Sequence, residues 1–139
     1  MAAVRGDLVD GLGAALGVAA GHDDGHSVGG EPLLVGAFEV QGLSFTEPGF
    51  RGCAFISASA DAPQGGVVEQ AAQDYRTWLH ELFFDLAQQA GATDAKSLAH
   101  QLVLLYDGAG ISAWLDRDPS AETAARIVAA TLVEAAIPD

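Results

Sequence analysis

The chain has 139 residues, of which 50% are hydrophobic, so it forms one domain that can bury roughly two thirds of the surface of its unfolded chain. Its formal net charge is −13, and its six Lys and Arg residues are scattered singly along the sequence. Because phosphate backbones and acidic membranes both attract clustered basic residues, we expect this chain to bind neither nucleic acid nor a membrane surface.

The N-terminal segment predicts a weak helix followed by a flexible loop. Residues from about Val4 to Ala20 form a Gly-interrupted helical pattern, and the stretch from Gly21 to Glu31 contains four glycines. A signal peptide is disfavoured because Asp7 and Asp10 interrupt the apolar stretch, which is also too short to span a bilayer. We therefore expect a cytoplasmic protein.

Two helices are predicted in the next part of the chain. The first begins at Pro32, which suits an initial helical position, and runs to about Thr46 before Pro48-Gly49 stops it. A short helix from about Cys53 to Ala60 follows, and residues 61–66 end it. Cys53 is the only cysteine, so the chain can form neither an intramolecular disulfide nor a cysteine-based zinc site.

The strongest amphipathic pattern comes after this break, and Gly91 supplies its stop signal. Its apolar positions keep i, i+3, i+4, i+7 spacing, which predicts a long helix with one buried face. These positions are Val68, Ala71, Ala72, Tyr75, Trp78, Leu79, Leu82, Phe83 and Leu86.

The helix predicted from about Ala95 to Leu115 is apolar on two sides. One stripe consists of Leu98, Leu102, Leu105 and Ala109, and the opposite side carries Val103, Leu104, Ile111 and Trp114 together with His100 and Asp107. A helix with two apolar faces must bury both. The pattern therefore predicts a partner subunit.

An Ala-rich helix is predicted from about Pro119 or Ser120 to Ala136. Small residues let helix axes approach closely, so we expect the last two helices of two chains to form a four-helix bundle across a two-fold axis. The predicted interface consists of Leu102, Leu105, Ala109, Trp114, Ile127, Val128 and Leu132.

Three segments together resemble the regulatory domain of TetR-family transcriptional regulators. The segment 49–58 reads G-F-R-G-C-A-F-I-S-A, Gly91-Ala92 forms a turn after the long helix, and 98–109 reads L-A-H-Q-L-V-L-L-Y-D-G-A. Each motif alone is weak, but their order and spacing agree from about Leu33 to the C-terminus. The resemblance implies an all-α helical bundle of about six helices, with residues 1–139 as one regulatory domain and 32–139 as its family-like core.

The family's DNA-binding part is an N-terminal helix-turn-helix. Residues 1–30 contain neither a basic recognition helix nor the length for three packed helices. The resemblance therefore implies the sensing and dimerising half of such a regulator, either as an excised or truncated domain or as a natural headless relative. A headless relative could sequester ligand or form heterodimers with intact regulators.

The resemblance also implies a pocket for an unknown small, mostly apolar effector, with no cofactor. The candidate lining residues are Phe38, Phe55, Trp78, Leu82, His100, Leu104 and Asp107. His100 and Asp107 lie about 10.5 Å apart along one helix, so they could bracket a ligand but could not hydrogen-bond to each other. Alternatively, His100 pairs with a neighbouring polar group at an interface.

Other residues with chemical potential have simpler structural interpretations. Arg51 suits a loop-closing contact, with an anionic ligand as the alternative, and Cys53 suits a buried thiol. The run from His22 to His26 has metal-ligand residue types but lies among glycines, so we expect a solvated loop and no metal site.

Two rival functions remain open. A helical enzyme would use His80 and His100, but the sequence contains no recognisable set of nucleophile, base and orienting group, so we expect no catalytic residues. A purely structural dimerisation module would have the same fold and no ligand.

Overall fold

The computed structural model describes residues 30–50 and 63–139. These residues form four α-helices and no strand: α1 is Gly30–Ser44, α2 is Val67–Gln89, α3 is Ala95–Leu115 and α4 is Ala121–Ala136. The all-α prediction is confirmed. The helices expected at 4–20 and 53–60 lie outside the described residues, so the expected number of about six is approximate.

The boundaries of α2 and α3 follow from local chemistry that the sequence displays. Gly91 has a φ of 81°, and its N–H donates to the carbonyl of Gln88 at 3.0 Å while Ala92 N–H donates to that of Ala87 at 3.1 Å. These two bonds form a Schellman motif that ends α2. Asp94 then caps α3, because its carboxylate accepts the N–H of Ser97 at 3.0 Å.

α1 begins two residues before the predicted Pro32. A Cβ atom on Gly30 would collide with the backbone carbonyl of Leu86 and would lie 2.7 Å from the backbone nitrogen of Ala90. Glycine therefore allows the start of α1 to lie directly on the end of α2. The sequence did not indicate this close approach.

The four helices enclose one apolar core, in which α1 packs against α2 and α4, and α3 packs against α2 and α4. No polar or charged residue is buried among the described residues. The largest fully buried side chains are Leu34, Phe38, Leu79, Phe83, Leu98, Leu102, Val103 and Val133. None of the four helices combines the length and the apolar composition needed to cross a membrane.

The buried arc of α3 differs from the predicted division into two stripes. The two-stripe pattern predicts Val103 on the side opposite Leu102, but both side chains lie inside the core. The assignment of Val103 is wrong, because the two neighbouring helices together cover an arc of α3 wide enough to include both positions. The second apolar face of α3 is consequently narrower than predicted.

Candidate functional site

Three aromatic rings fill the space between α1, α2 and α3. The ring centroid of Tyr106 lies 5.8 Å from that of Phe38 and 5.7 Å from that of Phe83, in edge-to-face arrangements. Gln41 borders this cluster and donates its Nε2–H to the carbonyl of Tyr106 at 2.7 Å. The Oε1 atom of Gln41 is buried and has no hydrogen-bond partner within the described part of the chain. The site thus combines an aromatic interior with one available acceptor.

The predicted pocket residues fall into three separate groups. Phe38 lies in the aromatic cluster, whereas Trp78 and Leu82 are half-buried on one flank of α2. The other three described residues belong to α3, where Asp107 is half-buried and His100 and Leu104 are exposed. Phe55 lies outside the described residues. The described contacts do not bring these groups around one cavity, so the effector pocket stays a prediction.

A surface depression lies at the N-terminal end of α2, away from the predicted lining residues. Gln64, Gly65, Gly66, Glu69, Gln70 and Gln73 line it. Its lining is polar and includes a carboxylate. This depression therefore does not match the mostly apolar pocket that the sequence predicts.

Four polar side chains form a line between α2 and α3, which we call the polar seam: Arg76, His80, His100 and Asp107. Arg76 Nη1 donates to Asp107 Oδ1 at 2.6 Å, and the two side chains are 32% and 23% exposed. The imidazoles of His80 and His100 lie next to this ion pair, with ring centroids 6.4 Å apart and planes inclined by 19°. His100 and Asp107, the two residues predicted to bracket a ligand, are therefore both part of the polar seam.

The sequence did not indicate the role of Arg76 or that the ring of His80 lies beside that of His100. The available signal was spacing, because Arg76 and His80 are one turn apart on α2 while His100 and Asp107 share one side of α3. The register between the two helices decides which of these groups meet. A single sequence does not provide that register.

The environment of the seam favours a neutral imidazole at His80. Burial lowers the pKa of His80 below its ordinary value, and the positive charge of Arg76 lowers it further. Asp107 acts in the opposite direction and His100 adds a small lowering effect. Neither imidazole is hydrogen-bonded to a Ser, Thr or Cys side chain in residues 30–50 and 63–139.

Residues of metal-ligand type do not cluster in the described ranges. No group of three or more His, Cys, Asp and Glu residues is arranged to hold an ion there. The run from His22 to His26 lies outside the described residues, as do Arg51 and Cys53. The predictions made for these residues therefore stay predictions.

The outer sides of α3 and α4 carry a group of exposed apolar side chains, which we call the α3/α4 apolar face: Leu104, Ile111, Trp114, Leu115, Ile127 and Val128. Leu104, predicted to line the pocket, is 60% exposed and belongs to this face. Three predicted interface residues, Trp114, Ile127 and Val128, also lie on it.

The other four predicted interface residues point toward the chain's own core. Leu102 and Ala109 are buried there and have little surface left for a partner, while Leu105 and Leu132 are half-buried. Their role at an interface stays a prediction. Leu104, Ile111 and Leu115 occupy the outer positions of α3.

The fold resembles two solved structures over nearly its whole length. A TetR-family transcriptional regulator from Streptomyces coelicolor matches 97% of this chain with a TM-score of 0.79 and 23% sequence identity. A proposed TetR transcriptional regulator from Streptomyces avermitilis matches 96% of it with a TM-score of 0.69 and 25% identity. This chain spans 61% of the first protein and 72% of the second. No protein-family model and no curated protein sequence matches it.

Proposed function

We propose that this chain, which has the helical fold of TetR-family transcriptional regulators, is the effector-sensing and dimerising domain of such a regulator and works in the cytoplasm without catalytic activity. The observation that carries the proposal is the structural similarity over 97% of the chain. The net charge of −13 and the scattered basic residues support a role without direct contact to DNA. Operator binding is assigned to the DNA-binding part of an intact regulator.

The proposed dimer is a symmetric pair of chains joined through the α3/α4 apolar face. Two chains with a charge of −13 each repel one another, so their contact must be apolar and uncharged. The six side chains of this face carry no charge, although the chain contains 19 acidic residues. A second copy presenting the same face satisfies this requirement with two-fold symmetry.

The proposed effector is a small, mostly apolar molecule that binds next to the aromatic cluster. Aromatic walls with few polar groups are typical of such sites. Here the half-buried Tyr106, packed on Phe38, provides the aromatic surface, and Gln41 Oε1 is available to accept a hydrogen bond from the effector. Trp78 and Leu82 extend the apolar surface on the α2 side.

The proposed mechanism is a shift between two arrangements of the helices. An effector that binds one arrangement more tightly shifts the equilibrium toward that arrangement. The ratio of the two populations changes by a factor that the ratio of the two affinities sets. In a dimer, a change in the position of α3 alters the distance between the two DNA-binding parts of intact regulators. The ligand then controls whether both parts fit the operator.

Ligand binding is tested with a Trp114→Phe variant, in which Trp78 is the only tryptophan left. A library of small apolar compounds is screened by thermal shift, and hits are titrated by Trp78 fluorescence. We expect a compound that raises the melting temperature and changes the fluorescence with a saturable curve. A Gln41→Leu variant should bind hydroxyl-bearing hits more weakly because the acceptor is missing.

The second candidate function is a structural dimerisation or heterodimerisation module without ligand. It is favoured by the aromatic rings that already occupy the space between α1, α2 and α3. A dimeric chain that responds to no compound in the screen would support this function and contradict the effector proposal.

A further inference from the structure

The polar seam joins α2 to α3 through three groups that can carry a positive charge and one carboxylate. Arg76 and His80 lie on α2, and His100 and Asp107 lie on α3. While both imidazoles are neutral, the guanidinium and the carboxylate balance each other in an ion pair of 2.6 Å. From this arrangement we propose that the seam makes the contact between α2 and α3 sensitive to pH, and that protonation of the imidazoles loosens this contact. The proposal does not depend on the regulatory function.

The two rings are close enough to repel each other once both are charged. Their centroids are 6.4 Å apart, and they belong to different helices. Charges at this distance lie within the screening length of about 8 Å at physiological salt, so dissolved ions do not cancel their repulsion. Protonation of both rings would leave one carboxylate in the seam to face three positive charges.

His80 is the ring that cannot escape this repulsion. His100 is exposed and can turn its ring into the solvent, whereas His80 is half-buried between the helices. Burial lowers the pKa of His80, and the charge of Arg76 lowers it further. Asp107 raises it, and His100 adds a smaller lowering effect. A protonated His80 therefore stays in the contact and competes with Arg76 for the carboxylate of Asp107.

The other helices that pack against α2 and α3 contribute charges that are engaged elsewhere or exposed. α1 carries Glu31 and Glu39, and α4 carries Glu122, Arg126 and Glu134. Glu39 and Glu122 are both paired with Arg126, while Glu31 and Glu134 are exposed. None of these five groups is among those that act on the charge of His80.

The remaining charged side chains of α2 and α3 lie on the solvent side of the two helices. All of them are exposed, so water screens their effect on the seam. They are Glu69, Asp74, Glu81, Asp85 and Lys96. The balance of charge at His80 is thus set by the other three members of the seam.

The sign of the pH effect follows from the environment of His80. Its pKa is lowered in the folded chain, so the unfolded chain binds more protons and stability rises with pH. The contribution of His80 is complete above the ordinary imidazole pKa of ~6.5 and is lost as the pH falls from there through the lowered value. The contact between α2 and α3 should therefore weaken in mildly acidic solution.

The test compares amide hydrogen exchange of the full chain at a pH of roughly 7.5 and roughly 5, on either side of the ordinary imidazole pKa. Protection factors, which correct for the intrinsic effect of pH on exchange, should fall at the lower pH for amides of α2 and α3 around His80 and His100. Amides at the contact of α1 with α4 should keep their protection and serve as the internal control. An NMR titration of the His80 ring should give a pKa below the ordinary value.

Two variants assign the response to the seam. His100→Asn changes an exposed side chain and should raise the pKa of His80 slightly and reduce the loss of protection. Arg76→Gln should raise that pKa more, because Asp107 then faces the protonated ring without a competitor, and should abolish the loss of protection. The matched control, His22→Asn with His26→Asn, should leave both measurements unchanged.

Three results would overturn the proposal. In the first, His80 of the unaltered chain titrates at or above its ordinary pKa. In the second, the amides of α2 and α3 keep their protection at the lower pH, or those between α1 and α4 lose it equally. In the third, Arg76→Gln leaves the response to pH as it is in the unaltered chain.

Discussion

Arg76 Nη1 lies 2.6 Å from Asp107 Oδ1 and connects α2 to α3 across 31 residues of sequence. Both side chains are partly exposed, so the solvent screens their attraction and a coupling energy of about 1 kcal/mol or less is expected. A double-mutant cycle with Arg76→Gln and Asp107→Asn, measured by urea denaturation, determines this energy. The more exposed pair of Arg126 and Glu39, at 3.2 Å, serves as the control and should show a smaller coupling. A larger coupling for the control pair would contradict this interpretation.

Phe38 is the central side chain of the aromatic cluster and is fully buried. Phe38→Ala should lower the free energy of unfolding by about 3–5 kcal/mol, because it removes apolar contacts and leaves a cavity. Leu43→Ala on the same helix is the control, since Leu43 is 69% exposed, and it should change stability by about 0.5 kcal/mol or less. Equal effects of the two variants in urea denaturation would show that α1 does not pack as described.

Asp118, just before α4, has a pKa that its hydrogen bonds with Ser120 determine and that can be measured at low pH. A hydrogen bond from the Ser120 side chain, supported by the Ser120 N–H, lowers the pKa of Asp118. A lowered carboxylate pKa contributes stability above the ordinary pKa, and this contribution is lost as the pH falls through the lowered value. Ser120→Ala should move the pKa of Asp118 upward, toward its ordinary value, in an NMR titration of the side-chain carboxyl. An unchanged pKa would show that the backbone N–H alone causes the shift.

The α3/α4 apolar face predicts which substitutions separate the proposed dimer. Leu104→Glu and Ile127→Glu should each yield monomers in sedimentation velocity, because both residues are more than half exposed in the chain and a carboxylate at either position would be buried in the dimer. Leu43→Glu is the matched control, since it adds the same charge at an exposed leucine of α1. It should leave the dimer intact. Circular dichroism checks that all three variants keep their helices.

Much of the fold could be predicted because its stop and start signals are local. Gly91 acts within a few residues of its own position, so the end of α2 followed from the sequence, and the predicted start of α3 at about Ala95 agrees with the structure. The start of α1 could not be predicted from the sequence, because it depends on the contact of Gly30 with the end of α2. Local chemistry contains no information about that contact.

The candidate site was less predictable for the same reason. The sequence indicates that His100 and Asp107 are polar residues on one side of a helix, but their partners belong to α2. The pairing of Asp107 with Arg76 and of His100 with His80 depends on how two helices are aligned. Likewise, Val103 and Leu104 are neighbours in sequence, yet only the packing of α3 buries the first and exposes the second.

The mass of the unaltered chain in solution tests the central claim most directly. Size-exclusion chromatography with light scattering is performed at physiological salt and repeated at tenfold dilution. A symmetric pair joined through the α3/α4 apolar face predicts twice the mass of one chain. A mass of one chain at every concentration would contradict the account, because the six exposed apolar residues of α3 and α4 would then have no partner of the proposed kind.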